Sequence, residues 1–388
     1  MSKCFFDIEI NTSDIEQSKL NIENKTRANL FSWNGQFSPQ FVEALLDKYA
    51  FEGTTVYDPF LGSGTTVYEC ARKGISSIGV ELNPSAYHIA KLYELCNIDF
   101  QERQLIIKQL DELILSNPNI DNLSQLANSK NDPHISSIVS ALIVLMDICY
   151  NSPDSEYILK KWSKLKDTLL GLPYSSQLIS VHLGDSTSLT LVDDCADMLI
   201  TSPPYINVFN YHQKYRQSVE LLGYNVLNIA RGEIGSNRKN RGNRLLTVIQ
   251  YCIDMAFSLY STSFVCKENA RMIYVVGRES NVLGYSFCNS ELIYRIGTEI
   301  LGFDFILRQE RSFKNRYGQI IYEDILHFSN TKSSHNLSKD ELIDYARSIA
   351  YDALAEKHSL FPLDDNIDFI VDALNKVTSV KRSEAIYE

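Results

Sequence analysis

The chain has 388 residues, 44% of them hydrophobic and 22% charged, and a formal net charge of −11. That length accommodates one large α/β domain with additions, or two domains, around a sizeable core. The acidic balance does not advertise a nucleic-acid partner, although nearly half of it lies in Ser333 to Glu388, where eleven Asp and Glu face six Lys and Arg. The eight cysteines are scattered without C-x-x-C spacing, so a zinc site is not expected; they suit a reduced core. No stretch approaches the roughly 20 apolar residues of a membrane span, and the first residues, with Asp7 and Glu9, are no signal peptide. Lys339-Asp340-Glu341-Leu342 is internal and so not a retention signal. The expectation is a soluble, cytoplasmic protein with neither membrane nor metal.

In chain order, residues 1–28 form a polar arm. Ser38 is a candidate N-cap with Pro39 at the first helical position, and Phe41, Ala44, Leu45 and Tyr49 give that helix an apolar face. A short strand over Thr54 to Tyr57 then runs into Asp58-Pro59-Phe60-Leu61-Gly62-Ser63-Gly64-Thr65-Thr66, which opens into a helix from Val67. A strand, a glycine turn and a helix N-terminus present backbone N–H groups to a ligand, with no side chain in the way at Gly62 and Gly64. About 20 residues on, a second strand over Ser77 to Val80 ends in Glu81, an acid placed to accept hydrogen bonds from a ribose.

Pro84 to Cys96 is helical, and residues 100–175 form a helical insertion with breaks near 117–123 and 128–132. Strands resume at Leu178 to Leu183, before Gly184-Asp185-Ser186, and at Ala196 to Ile200, before Thr201-Ser202-Pro203-Pro204-Tyr205. Two prolines stiffen that strand end and hold a hydroxyl and an aromatic ring at the carboxyl edge of the sheet, where open α/β sheets bind ligands. Residues 206–250 carry seven Lys and Arg against two Glu, with Tyr211, Tyr215 and Tyr224 interleaved. The part from Arg231 to Arg244 lacks an apolar period and is expected to be a mobile loop. A helix over Thr247 to Phe264, a strand over Met272 to Val276, a helix over Ser290 to Leu301 and an antiparallel pair, Phe303 to Arg308 and Tyr322 to Phe328, follow. Beyond Asn330, Ser338 and Glu341 make a capping box, and a second helix spans about Asn366 to Val377. The division expected is 1–330 for the main domain and 331–388 for a helical extension.

The pair DPFLGSGTT and TSPPY, with Gly79-Val80-Glu81-Leu82-Asn83-Pro84, Tyr87 and Gly184-Asp185-Ser186, resembles the amino-group DNA methyltransferases that use S-adenosylmethionine. The resemblance implies a doubly wound, Rossmann-like α/β sheet with a terminal antiparallel hairpin, here with the helical insertion and a C-terminal helical cap. It implies cofactor contacts from Asp58, Phe60, Gly62, Ser63, Gly64, Thr65, Glu81, Leu82, Asp185 and Ser186, and closure of Trp33 to Ser38 over the methionine end. Ser202, Pro203, Pro204 and Tyr205 would be catalytic. Ser rather than Asp before Pro-Pro-Tyr is more similar to the cytosine-N4 members than to the adenine-N6 members, although the order of motifs departs from the commonest cytosine-N4 pattern, where SPPY often precedes the glycine turn.

The chemistry suits those residue types. An exocyclic amine is a poor nucleophile because its lone pair is delocalised into the ring. Ser202 and the Pro203 carbonyl offer acceptors that draw it toward tetrahedral geometry, Tyr205 offers a face for a flipped base, and in-line placement does the rest. Cytosine-C5 methylation is excluded, because none of the ten prolines is followed by the Cys that chemistry needs. The expected DNA contacts are Lys214, Arg231, Arg238, Lys239, Arg241 and Arg244. The expected activity is methylation of cytosine N4 in duplex DNA, with a cognate restriction endonuclease as an expected partner. The alternatives are adenine N6, guanine N2 in RNA, and a non-catalytic DNA-binding specificity subunit.

Overall fold

The computed structural model describes residues 4–129, 132–148, 152–188, 191–206, 211–236, 240–315 and 317–386. Its strands are β1 (Thr55–Asp58), β2 (Ser76–Glu81), β3 (Ile179–Leu183), β4 (Ala196–Thr201), β5 (Cys266–Gly277), β6 (Glu279–Val282), β7 (Tyr285–Cys288), β8 (Asp304–Lys314) and β9 (Ile320–Ser329). Seven of them make one sheet in the order β3-β2-β1-β4-β5-β9-β8. The first five of that order are mutually parallel, and β9 runs antiparallel to both β5 and β8. The order reverses between β1 and β4, so the carboxyl ends of those two strands frame a ligand crevice. This is the expected doubly wound, Rossmann-like sheet, with its antiparallel hairpin at one edge.

The helices are α1 (Gln17–Asn21), α2 (Pro39–Tyr49), α3 (Thr65–Lys73), α4 (Pro84–Lys91), α5 (Phe100–Ser116), α6 (Ile120–Ala127), α7 (Pro133–Met146), α8 (Ser155–Leu170), α9 (Arg216–Leu221), α10 (Val226–Ile229), α11 (Leu246–Val265), α12 (Asn289–Arg295), α13 (Lys339–Leu360) and α14 (Ile367–Asn375). The expected insertion is α5 to α8. Each of these four helices starts on an Asp or Asn whose side chain accepts a backbone N–H: Asp99, Asn119, Asp132 and Asp154. The capping box of Ser338 and Glu341 forms at the start of α13. Ser38 does precede α2, with Pro39 first in the helix, but its side chain makes no capping bond. No helix among the described residues is long and apolar enough to cross a membrane.

The core has two apolar clusters. One joins α2, α3 and the insertion to the sheet. The other is built on α11, buried along most of its length, and takes in Leu342, Ala346, Ile349 and Leu354 of α13 together with Met272 and Phe328 of the sheet. The C-terminal helices therefore share the core of the sheet. The N-terminal arm packs on the sheet: Phe5 is buried, Ile10 bridges to Arg308, and the Asn11 N–H donates to the Arg308 carbonyl at 2.7 Å.

Two features depart from expectation. A small hairpin, β6–β7, turns on Leu283 and Gly284, both with positive φ (53° and 94°). Leucine occupies a position that Asn or Asp usually takes in such a turn, which hides the hairpin in the sequence. The segment expected to be mobile is folded at both ends. A 3₁₀ turn spans Ala230–Gly232, Gly232 packs so closely on Ala385 that a Cβ there would come within 2.7 Å of it, and Asn243 donates to the Phe369 carbonyl and Asp372. Arg238 and Lys239 lie outside the described residues.

Candidate active site

The glycine turn is held by two buried acids. Asp58, at the end of β1, accepts the Phe60 N–H, the Thr201 hydroxyl (2.6 Å) and the Thr66 hydroxyl (2.6 Å). Burial raises its pKa to about 6 against those hydrogen bonds. It ties the ends of β1 and β4 to the start of α3 and does not line the cavity; the structure makes it a support of the turn, where the sequence had pointed to a cofactor contact. Glu81 accepts the N–H of Gly62 and of Asn83, each at 2.7 Å. Burial raises its pKa to about 7, opposed by those two N–H groups.

The two glycines have different duties. Gly62 faces the cavity beneath Trp33, whose Cδ1 would stand 3.4 Å from an added Cβ. Gly64, at φ 92°, points the other way: a Cβ there would meet the Tyr93 ring at 2.7 Å and the Ala90 methyl at 3.0 Å. It lets α3 approach α4, and it does not line the cavity as the motif suggested. Ser63 is likewise buried, donating to Gln36 Oε1 at 2.8 Å.

At the carboxyl ends of β1, β2 and β4 lies a cavity of about 880 Å³, part of it open to solvent. Of the expected cofactor residues, Phe60, Gly62, Thr65, Glu81, Leu82, Asp185 and Ser186 line it, and Ser202 and Pro204 join them from the second motif. Asp185 is oriented by the N–H and hydroxyl of Thr187, both bonded to one of its oxygens at 2.8 Å. The roof is Trp33 to Phe37, pinned to the turn through Gln36. Trp33 stacks on Tyr211 and Tyr215 with ring centres 6.5 and 6.3 Å away. Lys214 spans the same rings, 5.0 Å from Trp33 and 5.2 Å from Tyr215, and donates to the Ser32 carbonyl. Burial lowers its pKa. Lys214 thus clasps the roof.

Tyr205 and Pro203 stand outside the cavity lining. The Tyr205 ring lies on Gly277, and its hydroxyl donates to Glu323 Oε1 at 3.0 Å with Ser202 Oγ 3.4 Å away. Burial, and then Glu323, hold its pKa well above the usual phenol range. The ring thus packs on Gly277, with its hydroxyl turned toward β9.

Of the basic residues, Arg231 and Arg241 are exposed and line a depression next to the cavity, with Glu233 on the wall between. The Nε of Arg244 is buried. The sequence had not singled out Glu233 or His212, a buried pair in which Glu233 accepts the His212 N–H at 2.9 Å and meets its ring nitrogen at 3.1 Å. The sequence signal was an acid set among the basic residues of 206–250.

Comparison with known proteins agrees with this geometry. Residues 9–92, from the arm through the glycine turn to α4, match the family described as DNA methylase (N6_N4_Mtase). The chain is 39% identical over 75 residues to the type II methyltransferase M.MjaII of Methanocaldococcus jannaschii, which covers 19% of this chain and 14% of that protein. It is 21% identical over 270 residues to the type II methyltransferase M.AvaI of a Nostoc species, 52% of this chain and 55% of that one. The chain thus spans about half or less of the length of these curated relatives. A solved S-adenosylmethionine-dependent methyltransferase from Methanosarcina mazei aligns over 74% of this chain and 97% of its own at 12% identity, with a TM-score of 0.36. The sheet itself has the doubly wound, Rossmann-like strand order. The N-terminal match narrows the likeness to the amino-group DNA methylases.

Proposed function

We propose that the protein transfers a methyl group from S-adenosylmethionine to the exocyclic N4 amine of cytosine in duplex DNA, as the methylating half of a restriction-modification system. The observation that carries this reading is the meeting in one cavity of the Gly62–Glu81 turn with Ser202 and Pro204. The cavity residues fit the cofactor. Glu81 has lone pairs beyond its two backbone partners for ribose hydroxyls, Asp185 is held at the lining by Thr187, and the roof over Gly62 suits the methionine end.

The bound cofactor supplies an electrophilic methyl on a sulfonium. The remaining task belongs to the chain: Ser202 and the Pro203 carbonyl accept from the amine and localise its lone pair, and the roof excludes water from the reacting atoms. Arg231 and Arg241 provide charge for phosphates beside the entrance. The test is mass spectrometry of nucleosides after incubation of duplex DNA with the protein and cofactor. N4-methylcytosine is expected; N6-methyladenine would move the assignment to adenine, and unmodified DNA would overturn it.

A further inference from the structure

Ser202 has a chemical shortcoming as a catalyst of amine methylation. When the amine nitrogen uses its lone pair to form the N–CH₃ bond, the pair of the breaking S–CH₃ bond returns to sulfur, and the base is left cationic with one proton too many. A serine hydroxyl is not a base. It can take that proton only if it passes its own onward.

The structure provides a route across three neighbouring strands. Ser202 Oγ lies 3.4 Å from Tyr205 Oη, and Tyr205 Oη donates to Glu323 Oε1 at 3.0 Å. Glu323 stands on β9 directly opposite Gly277 of β5 and opposite Arg311 of β8. Gly277 is the window: a Cβ there would lie 2.5 Å from the Tyr205 ring and block its way to Glu323. Arg311 Nε fixes the other oxygen of Glu323 at 2.6 Å. Arg278, the next cation, is engaged by Glu310 and Asp324, so Tyr205 and Arg311 are the titratable and charged groups that bond Glu323 among the described residues.

Resting on the methyltransferase reading above, we propose that Glu323 is the terminal proton acceptor of the reaction, reached from Ser202 through Tyr205. The amine gives its surplus proton to Ser202 Oγ, Ser202 gives its own to Tyr205 Oη, and Tyr205 gives its own to Glu323 Oε1. Ser202 and Tyr205 end unchanged, Glu323 ends neutral, and water takes the proton after the product leaves. A protonated aromatic amine is so strong an acid that transfer to a carboxylate is downhill. Glu323 thus supplies the carboxylate that a serine-type motif lacks. It is a positioning residue that acts through Tyr205.

The experiment measures single-turnover transfer of labelled methyl to duplex DNA by the full chain, beside cofactor calorimetry and thermal melting. Glu323→Gln keeps an oxygen for the Tyr205 hydroxyl but no basicity; Tyr205→Phe keeps the ring and cuts the route. Each should slow transfer roughly 100-fold while cofactor affinity stays put; Glu323→Gln, which leaves the Arg311 guanidinium without its buried partner, should also lower the melting temperature, and Tyr205→Phe should lower it less. The loss should fall on the rate at saturating DNA, with the half-saturating DNA concentration unchanged, which a merely structural role for Glu323 would not produce. A wild-type rate in Glu323→Gln, or in Tyr205→Phe should the first variant fold poorly, would overturn the relay and leave the functional reading intact. A wild-type protein inert on DNA would overturn both.

Discussion

The ammonium of Lys214 sits 5.0 Å from the centre of the Trp33 ring and donates to the carbonyl of Ser32, joining two segments about 180 residues apart into one roof. A partly desolvated cation–π contact contributes on the order of 1 kcal/mol. Lys214→Ala should therefore weaken cofactor binding about fivefold, by roughly the same 1 kcal/mol, with little change in melting temperature. Trp33 is one of only two tryptophans, so cofactor titration should perturb its fluorescence, and Trp33→Phe should abolish that signal while buried Trp162 continues to emit.

Gly64→Ala should cost stability rather than cofactor affinity. The substitution adds a Cβ 2.7 Å from the Tyr93 ring at a φ of 92°, and overpacking of this kind costs roughly 1–3 kcal/mol. Chemical denaturation should show the loss. Gly62→Val is the cofactor-directed counterpart, since Gly62 lines the cavity; calorimetry should find its affinity sharply reduced. Equal effects of the two variants on affinity would contradict this division.

Glu81 should make cofactor binding pH-dependent. Its ionised form accepts ribose hydroxyls, and its pKa is raised to about 7, so affinity should rise as pH increases from 6 to 8. Stability of the cofactor-free protein runs the other way. The unfolded carboxyl ionises near 4.5 and the folded one resists until about 7, so the folded state holds the proton through that window and stability falls as pH rises across it. Asp58, raised to about 6, and Glu69, raised to about 7, act in the same direction. Glu81→Gln should flatten the binding profile and reduce the stability slope.

Arg231 and Arg241 together should govern part of the salt sensitivity of DNA binding. Each phosphate contact contributes about 0.9 to the slope of log affinity against log salt. The double change to alanine should thus flatten that slope by about 1.8 and leave cofactor affinity alone. An unaltered slope would relocate the DNA-facing surface, with the insertion α5–α8 as the next place to probe.

The fold was legible because its signals are local. β1 with its glycine turn, β2 ending in Glu81 and β4 ending in TSPPY each carry strand, breaker and polar residue within a few positions, and the parallel order follows from strands alternating with helices. Directions were not legible. The motif put Asp58 and Gly64 near the cofactor, yet Asp58 points into the β1–β4 seam and Gly64 toward Tyr93. Nor were partners far along the chain: Tyr205 finds Glu323 across 118 positions. The loop after Tyr205 lacked an apolar period because its anchors are single residues, Gly232 on Ala385 and Asn243 on α14, and these leave no repeat to detect.

The arm at residues 10 and 11 has a consequence for solubility. β8 is an outer strand of 11 residues, long enough to recruit a strand from another molecule through its unpaired backbone groups. Ile10 and Asn11 occupy that rim at Arg308, and Gln17 covers the Glu310 carbonyl. A chain shortened to begin after α1 would bare the rim, and sheet-to-sheet aggregation would follow even with every residue of the cavity intact.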